Sequence, residues 1–335
     1  MIAIAICIPV QNEEEELPKL FDALDALGWN GRDSLNICLM LDGCVDASAD
    51  IALAYQGRSK HRVTIKQEER PSGNVGIARH RAMKLGLRAL GIGEGLLLST
   101  DADSTPGSDW LSAMLNALHR ADVVVGKIVR VEGSANLLQN RVEAYYDRMA
   151  VLRRRLDPVP WEAASVHHHV GGANIGIRAE VYRSLGGFAP LPNGEDARLI
   201  DDAARAGFRV RRDAACIVHT SARHVGRASG GLADVLRALK GAEAETIQVA
   251  HPGDMVWQYR RQAEVRAAHA LDRLDLAAAV VGLTHDHVRG VARDCPNAEA
   301  FAMRIVPEPP GGMRTVSLAV AERELDFLTG CERAI

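Results

Sequence analysis

A doubly wound α/β domain on a mostly parallel sheet is the fold this sequence predicts, and three observations predict it. Apolar runs of strand length alternate with apolar residues at helical spacing through the first 126 residues. Short acidic or polar motifs follow several of those runs, at what would be the carboxyl ends of parallel strands, where open α/β sheets bind ligands. Hydrophobic residues make up 47% of 335 positions, enough for a large core around such a sheet.

The elements follow in order. Ile2 to Val10 reads as a first strand, and Leu17, Leu20, Phe21, Leu24 and Leu27 recur at helical spacing behind the Glu13 to Glu16 run, which suits a helix N-terminus. Asn36 to Leu41 is a second strand, followed by a short helix around Asp46 to Tyr55. Arg62 to Lys66 is a weaker third strand, and after the turn signal Pro71-Ser72-Gly73-Asn74 the residues Val75, Ala78, Ala82, Leu85 and Leu90 mark another helix. Gly95 to Thr100 is the fourth strand, Ser108 is placed to cap a helix carrying Leu111, Leu115 and Leu118, and Val123 to Val125 is the fifth strand. Such βαβα order implies right-handed crossovers and a mostly parallel sheet.

The middle is less regular. A helix through Leu137, Val142, Tyr145, Met149 and Leu152 ends in Arg153-Arg154-Arg155, and a loop with His167-His168-His169 follows. Gly171 to Ile177 reads as a strand opening a helix at Ala179, Gly194-Glu195-Asp196 opens a helix over Ala197 to Ala206, and Ala215 to Val218 reads as a strand. From Gly231 the pattern is mainly helical, with a Pro/Gly break at Pro307 to Gly312 and a last helix over Ala319 to Leu328.

A net charge of −3 argues against a nucleic-acid partner, which calls for a basic excess or stripe. The six cysteines form no Cys-x-x-Cys pair, and Cys7 and Cys38 lie inside apolar runs, the pattern of reduced thiols in a cytoplasmic protein. The apolar start, Met1 to Val10, has no basic flank and reads as a strand rather than a signal peptide. No segment reaches the ~20 apolar residues of a membrane span.

The chemistry concentrates at Asp101-Ala102-Asp103-Ser104, directly after Leu96-Leu97-Leu98. The chain turns as it leaves the sheet, so the two carboxylates are placed to hold one divalent cation, or a cation and a ribose hydroxyl. Asp42-Gly43 and Asn12-Glu13 put further polar groups at the same sheet edge, where a nucleoside is gripped. His219 follows a strand and can offer an imidazole nitrogen to the same metal, while the Gly-rich stretch behind it can bring Arg223 or Arg227 to a diphosphate. Three adjacent histidines cannot all face one ion, so His167 to His169 reads as a polar loop. The Arg153 to Arg155 run reads as a solvated helix face.

Taken in order, Pro9-Val10-Gln11-Asn12-Glu13, Leu41-Asp42-Gly43-Cys44-Val45-Asp46, Asn74-Val75-Gly76-Ile77-Ala78-Arg79, Asp101-Ala102-Asp103 and Gly194-Glu195-Asp196 resemble the family 2 glycosyltransferases of GT-A fold, over about residues 2 to 230. The resemblance implies transfer of a sugar from a nucleoside diphosphate donor to a hydroxyl acceptor, usually with inversion and with Mg²⁺ or Mn²⁺. It implies that Pro9, Asn12, Glu13, Asp42 and Ala102 belong to the nucleoside side, Arg79 to the donor, and Asp101 and Asp103 to ribose and metal. It implies Asp196 as general base with Glu195 beside it, and Gly172, Ala173 and Asn174 on the acceptor side.

The domain so implied spans residues 1–230, with a nucleotide-sugar half (1–126) and an acceptor and catalytic half (127–230), and residues 231–335 form a helical extension. Cys44-Val45 departs from the small polar residues usual after Asp-Gly, and the Gln-x-x-Arg-Trp motif of processive polymer synthases is absent, which favours single addition to a small-molecule, glycan or lipid-linked acceptor. The expected setting is the cytoplasm or the inner face of a membrane. Two other readings stay open: a haloacid-dehalogenase-like phosphatase using Asp101 and Asp103, whose nucleophile loop normally follows a first strand, and a non-catalytic nucleotide-sugar binder. A nucleotidyltransferase is disfavoured, because Glu13 to Glu16 would repel a triphosphate.

Overall fold

A computed structural model describes residues 2–28, 34–131, 137–221 and 243–332. The chain forms two compact units, one of residues 1–134, 169–202 and 210–234, the other of 135–168, 203–209 and 235–335.

The first unit is built on an eight-stranded, mixed but mainly parallel sheet. Its strands are β1 (Ala3–Val10), β2 (Ser34–Asp42), β3 (Arg62–Glu68), β4 (Gly95–Ser99), β5 (Ser104–Pro106), β6 (Val123–Arg130), β7 (Ile175–Arg178) and β8 (Val210–Thr220), in the order β3-β2-β1-β4-β7-β6-β8-β5. β1 pairs in parallel with β2 and β4, β2 with β3, and β6 with β8. β7 lies antiparallel between β4 and β6, and β5 antiparallel on β8. The expected fourth and fifth strands are therefore not neighbours, because the short strand from Ile175 to Arg178 is inserted between them.

Helices that flank this sheet include α1 (Leu17–Asp25), α2 (Ser48–Arg58), α3 (Val75–Leu90) and α4 (Trp110–Leu118). The two faces of β1 explain its sequence. Ile4, Ile6, Ile8 and Val10 enter one core with Leu20, Phe21, Leu24, Leu39 and Trp110. On the other face Ala5 and Cys7 are small because α3 packs close: a Cβ on Gly86 would lie 2.3 Å from the Cys7 sulfur and 3.3 Å from the Ala5 methyl. Burial pushes the Cys38 thiol up to about 12, and Cys7 is raised by burial and by Cys38, so both behave as small apolar fillers.

α3 starts directly after the turn signal, with Asn74 as its N-cap. Asn74, at φ −150°, accepts from the Ile77 amide at 3.0 Å. α4 begins at Trp110 with Asp109, not Ser108, at its N-cap.

In the second unit, Tyr145, Met149 and Leu152 of α5 (Leu137–Leu156) share a core with Val249, Val256, Leu318 and Leu325. α5, expected in the acceptor half, thus packs with the tail. A second cluster joins Val265, Ala277, Val288, Phe301 and Ile305 from helices Pro252–Ala270, Leu274–Val281, His285–Arg293 and Ala298–Ile305. Among the described residues, no helix is long and apolar enough to cross a membrane.

Candidate active site

The carboxyl ends of β1, β2 and β4 meet at one edge of the first unit. After β1 the chain turns through Asn12 at φ 54°, a left-handed conformation that Asn tolerates better than most residues. Asn12 Oδ1 accepts from the Val45 amide at 2.8 Å, Glu14 Oε2 from the Ala47 amide at 2.9 Å, and the Ser48 hydroxyl from the Glu13 amide at 2.8 Å. The loops after β1 and β2 are thereby stitched together.

Asp42, at the end of β2, is 2% exposed. Its Oδ2 accepts from the Ser72 amide at 2.9 Å and hydroxyl at 2.6 Å, and its Oδ1 from Arg81 Nη1 at 3.0 Å. Gly43 follows at φ 65°, where a Cβ would meet the Pro71 nitrogen at 2.2 Å, so the turn at Pro71 packs directly on this strand end. Sequence reasoning missed Ser72 and Arg81; the turn signal at Pro71 to Asn74 marked the place without showing what it held.

β4 ends at Ser99, and the acidic motif follows. Asp101 Oδ1 accepts from Arg79 Nη1 at 2.5 Å, and its Oδ2 accepts no hydrogen bond from the described residues. The Ala102 methyl belongs to the core beside α1 and α4. The Asp103 carbonyl accepts from the Ser221 amide at 3.2 Å, and Ser104 opens β5 against Thr220. His219 pairs with Thr105 on the same two strands and is exposed. Asp101, Asp103 and His219 do not form a group whose three ligand atoms all lie within 4.8 Å of one another.

Arg79 and Asn174 both lie inside the fold. Arg79, expected on the donor, is 5% exposed and held between carboxylates: Nη1 on Asp101 and Nε on Glu195 Oε1 at 3.1 Å. Burial alone would lower its pKa, but Asp101 and then Glu195 raise it, so the guanidinium stays charged. Asn174, expected on the acceptor side, is fully buried. Its Oδ1 accepts from Trp110 Nε1 at 2.8 Å, and its amide donates to the carbonyls of Lys127 at 2.8 Å and Cys216 at 2.9 Å. It ties α4, β6 and β8 together, with both of its amide hydrogens spent inside the core. Ala173 is likewise buried.

After the short helix α6 (Ala179–Ser184), Glu195 and Asp196 open α7 (Glu195–Arg205). Glu195 is 3% exposed, and burial raises its pKa against the lowering effect of Arg79. Asp196 is partly exposed; its Oδ2 accepts from the Gly172 amide at 2.9 Å and its Oδ1 from the Ala197 amide at 2.7 Å. One buried guanidinium thus faces the carboxylates of Asp101 and Glu195, with Asp196 near enough to act on it. With all three ionised, the cluster carries more negative than positive charge.

Arg223 and Arg227 lie outside the described residues. In the second unit His168 donates its amide to Asp147 Oδ1 at 3.0 Å and holds the same oxygen through Nδ1 at 2.7 Å, a local clasp on α5.

The profile of Glycosyl transferase family 2 matches residues 5–185. No curated protein matches the chain. Among solved structures, TarS 1-349 from S. aureus in complex with UDP-GlcNAc is similar at 16% identity and a TM-score of 0.50, covering 90% of this chain and 88% of that one. GalNAc-T7 with UDP, GalNAc and Mn2+ is similar at 14% identity and a TM-score of 0.51, covering 92% of this chain and 59% of that one. At such identities the likeness shows the fold.

Proposed function

The chain belongs to glycosyl transferase family 2, and on that premise we propose that it moves a sugar from a nucleoside diphosphate to an acceptor hydroxyl, with inversion and with a divalent cation. The observation that carries the reading is the gathering of Asp101, Glu195 and Asp196 around one buried guanidinium at the strand ends.

In this reading the stitched loops after β1 and β2, with Asp42 beneath them, form the nucleoside side. Asp101 and Asp103 are the carboxylates that would hold Mg²⁺ or Mn²⁺. The excess of negative charge and the unspent Asp101 Oδ2 fit a hard cation bound through oxygen. That cation supplies charge neutralisation for the departing diphosphate.

Asp196 takes the proton of the acceptor hydroxyl as the oxygen attacks the anomeric carbon from the face opposite the leaving group. The amides of Gly172 and Ala197 fix its carboxylate for that task. Glu195 orients Arg79 and does not meet the acceptor, since it is buried behind the guanidinium. Of the structures similar to this chain, TarS is in complex with UDP-GlcNAc and GalNAc-T7 with UDP, GalNAc and Mn2+, which favours a UDP-sugar as the first donor to try. The setting this reading implies is the cytoplasm or the inner face of a membrane, with a small-molecule, glycan or lipid-linked acceptor.

The phosphatase reading loses ground. The acidic motif follows β4, whereas the nucleophile loop of such phosphatases follows the first strand of its domain.

The test is consumption of a panel of UDP-, GDP-, ADP-, CMP- and dTDP-sugars with Mn²⁺ or Mg²⁺. Release of free nucleotide from one donor, abolished by chelation, supports the reading. No release from any donor, with metal and a broad acceptor mixture present, counts against it.

A further inference from the structure

The buried cation and the main chain of Gly172 form one connected device. Arg79 Nη1 reaches Asp101 at 2.5 Å and donates to Ser99 Oγ at 3.4 Å, and its Nε reaches Glu195 at 3.1 Å. Ser99 Oγ donates to the Gly172 carbonyl at 2.7 Å, and the Gly172 amide donates to Asp196 Oδ2 at 2.9 Å. Both polar groups of the Gly172 main chain are therefore engaged, one toward β4 and one toward the carboxylate proposed as base.

The missing side chain of Gly172 matters for the same reason. A Cβ there would lie 2.3 Å from Arg79 Cζ and from Nε, and 2.7 Å from Nη2. The guanidinium is packed flat against the glycine, and it cannot retreat easily, because Nε and Nη1 are each tied to a carboxylate. Arg is the residue for this place, since its planar fork meets two carboxylates at once, whereas a lysine ammonium is a single point charge on a flexible stem. Each of these groups belongs to the first unit.

We infer that Arg79 and Gly172 act together as positioning residues that couple the donor-side carboxylate Asp101 to the proposed base Asp196. Displacing the guanidinium releases Asp101 on one side and, through Ser99 and Gly172, shifts Asp196 on the other. The inference rests on the transferase reading, and it assigns Arg79 to geometry rather than to direct contact with the donor.

The experiment is a double-mutant cycle on turnover of the nucleotide-sugar that the wild type consumes, with folding followed by thermal unfolding. Gly172→Ala is expected to lower kcat about tenfold or more in the presence of Arg79, because small misplacements of reacting groups are costly. In the Arg79→Lys protein, whose side chain leaves room for a methyl, the same change is expected to cost less than about twofold. Ser99→Ala serves as a second probe that adds no bulk: kcat falls several-fold while the donor KM stays within about twofold.

Equal losses from Gly172→Ala in both backgrounds would overturn the coupling, as would wild-type kcat in Ser99→Ala. If the wild type consumes no donor, it is the transferase reading that fails. In that case the cycle is read instead on UDP binding with Mn²⁺ by calorimetry, where Gly172→Ala weakens affinity only when Arg79 is present. Equal effects in both backgrounds overturn the coupling there too.

Discussion

The Gly172 amide donates to Asp196 Oδ2 at 2.9 Å, across 24 residues of sequence. Together with the Ala197 amide on Oδ1 at 2.7 Å, this leaves the carboxylate with one fixed orientation at the start of α7. Asp196→Asn removes the base at nearly equal size, with its NH2 turned toward one of these two amides. Turnover is expected to fall by about 10² to 10⁴ while nucleotide affinity is unchanged. Turnover within about threefold of wild type would assign the base elsewhere.

Arg81 holds one oxygen of the buried Asp42, and Ser72 holds the other twice. Arg81→Ala should therefore loosen the nucleoside side without emptying it. The donor KM is expected to rise several-fold with kcat nearly held, and stability to drop by about 1–2 kcal/mol, the cost of one charged hydrogen bond. A fall in kcat with KM unchanged would place Arg81 in the chemical step.

Two glycines in helices should respond oppositely to alanine. At Gly86 the new methyl meets the Cys7 sulfur at 2.3 Å and a Leu97 methyl at 2.9 Å, an overpacked site expected to cost about 1–3 kcal/mol. At Gly290, within the helix His285–Arg293, nothing lies within 4 Å, and alanine is expected to stabilise by up to about 1 kcal/mol. Thermal or urea unfolding of both variants decides it; a stabilised Gly86→Ala would contradict the close packing of α3 on β1.

Burial raises the pKa of Glu195, with Arg79 lowering it only in part. A carboxyl whose folded pKa is raised favours folding below its unfolded pKa, and that contribution is lost as pH rises through the folded pKa. Glu195→Gln cannot lose it. The Tm of Glu195→Gln minus that of wild type is thus expected to increase as pH climbs from the ordinary carboxylate range toward neutrality. A difference that decreases with pH would mean that Arg79 holds Glu195 below its ordinary value.

Much of this was legible because it is local. β1, β2 and β4 are largely apolar runs, and α3 follows the turn signal Pro71 to Asn74 with apolar residues at helical spacing. What was not legible depends on partners distant in sequence. β7 reads as a strand in Ile175 to Ile177, but its antiparallel place between β4 and β6 has no local signature. β5 is three residues, Ser104 to Pro106, too short to carry periodicity. Arg79 sits on a plausible donor motif, yet its partner Glu195 lies 116 residues away. Asn174 follows two glycines in an acceptor-like stretch, and only the fold brings Trp110, Lys127 and Cys216 to its amide.

The central claim is a metal-dependent nucleotide-sugar site at Asp101 and Asp103. A thermal-shift panel of UDP, GDP, ADP, CMP and dTDP, with and without Mn²⁺, on wild type and Asp103→Ala tests it most directly. One diphosphate is expected to stabilise the wild type only with the metal, and the shift is expected to vanish in the variant. A shift of equal size without Mn²⁺, or one that survives in Asp103→Ala, would contradict it.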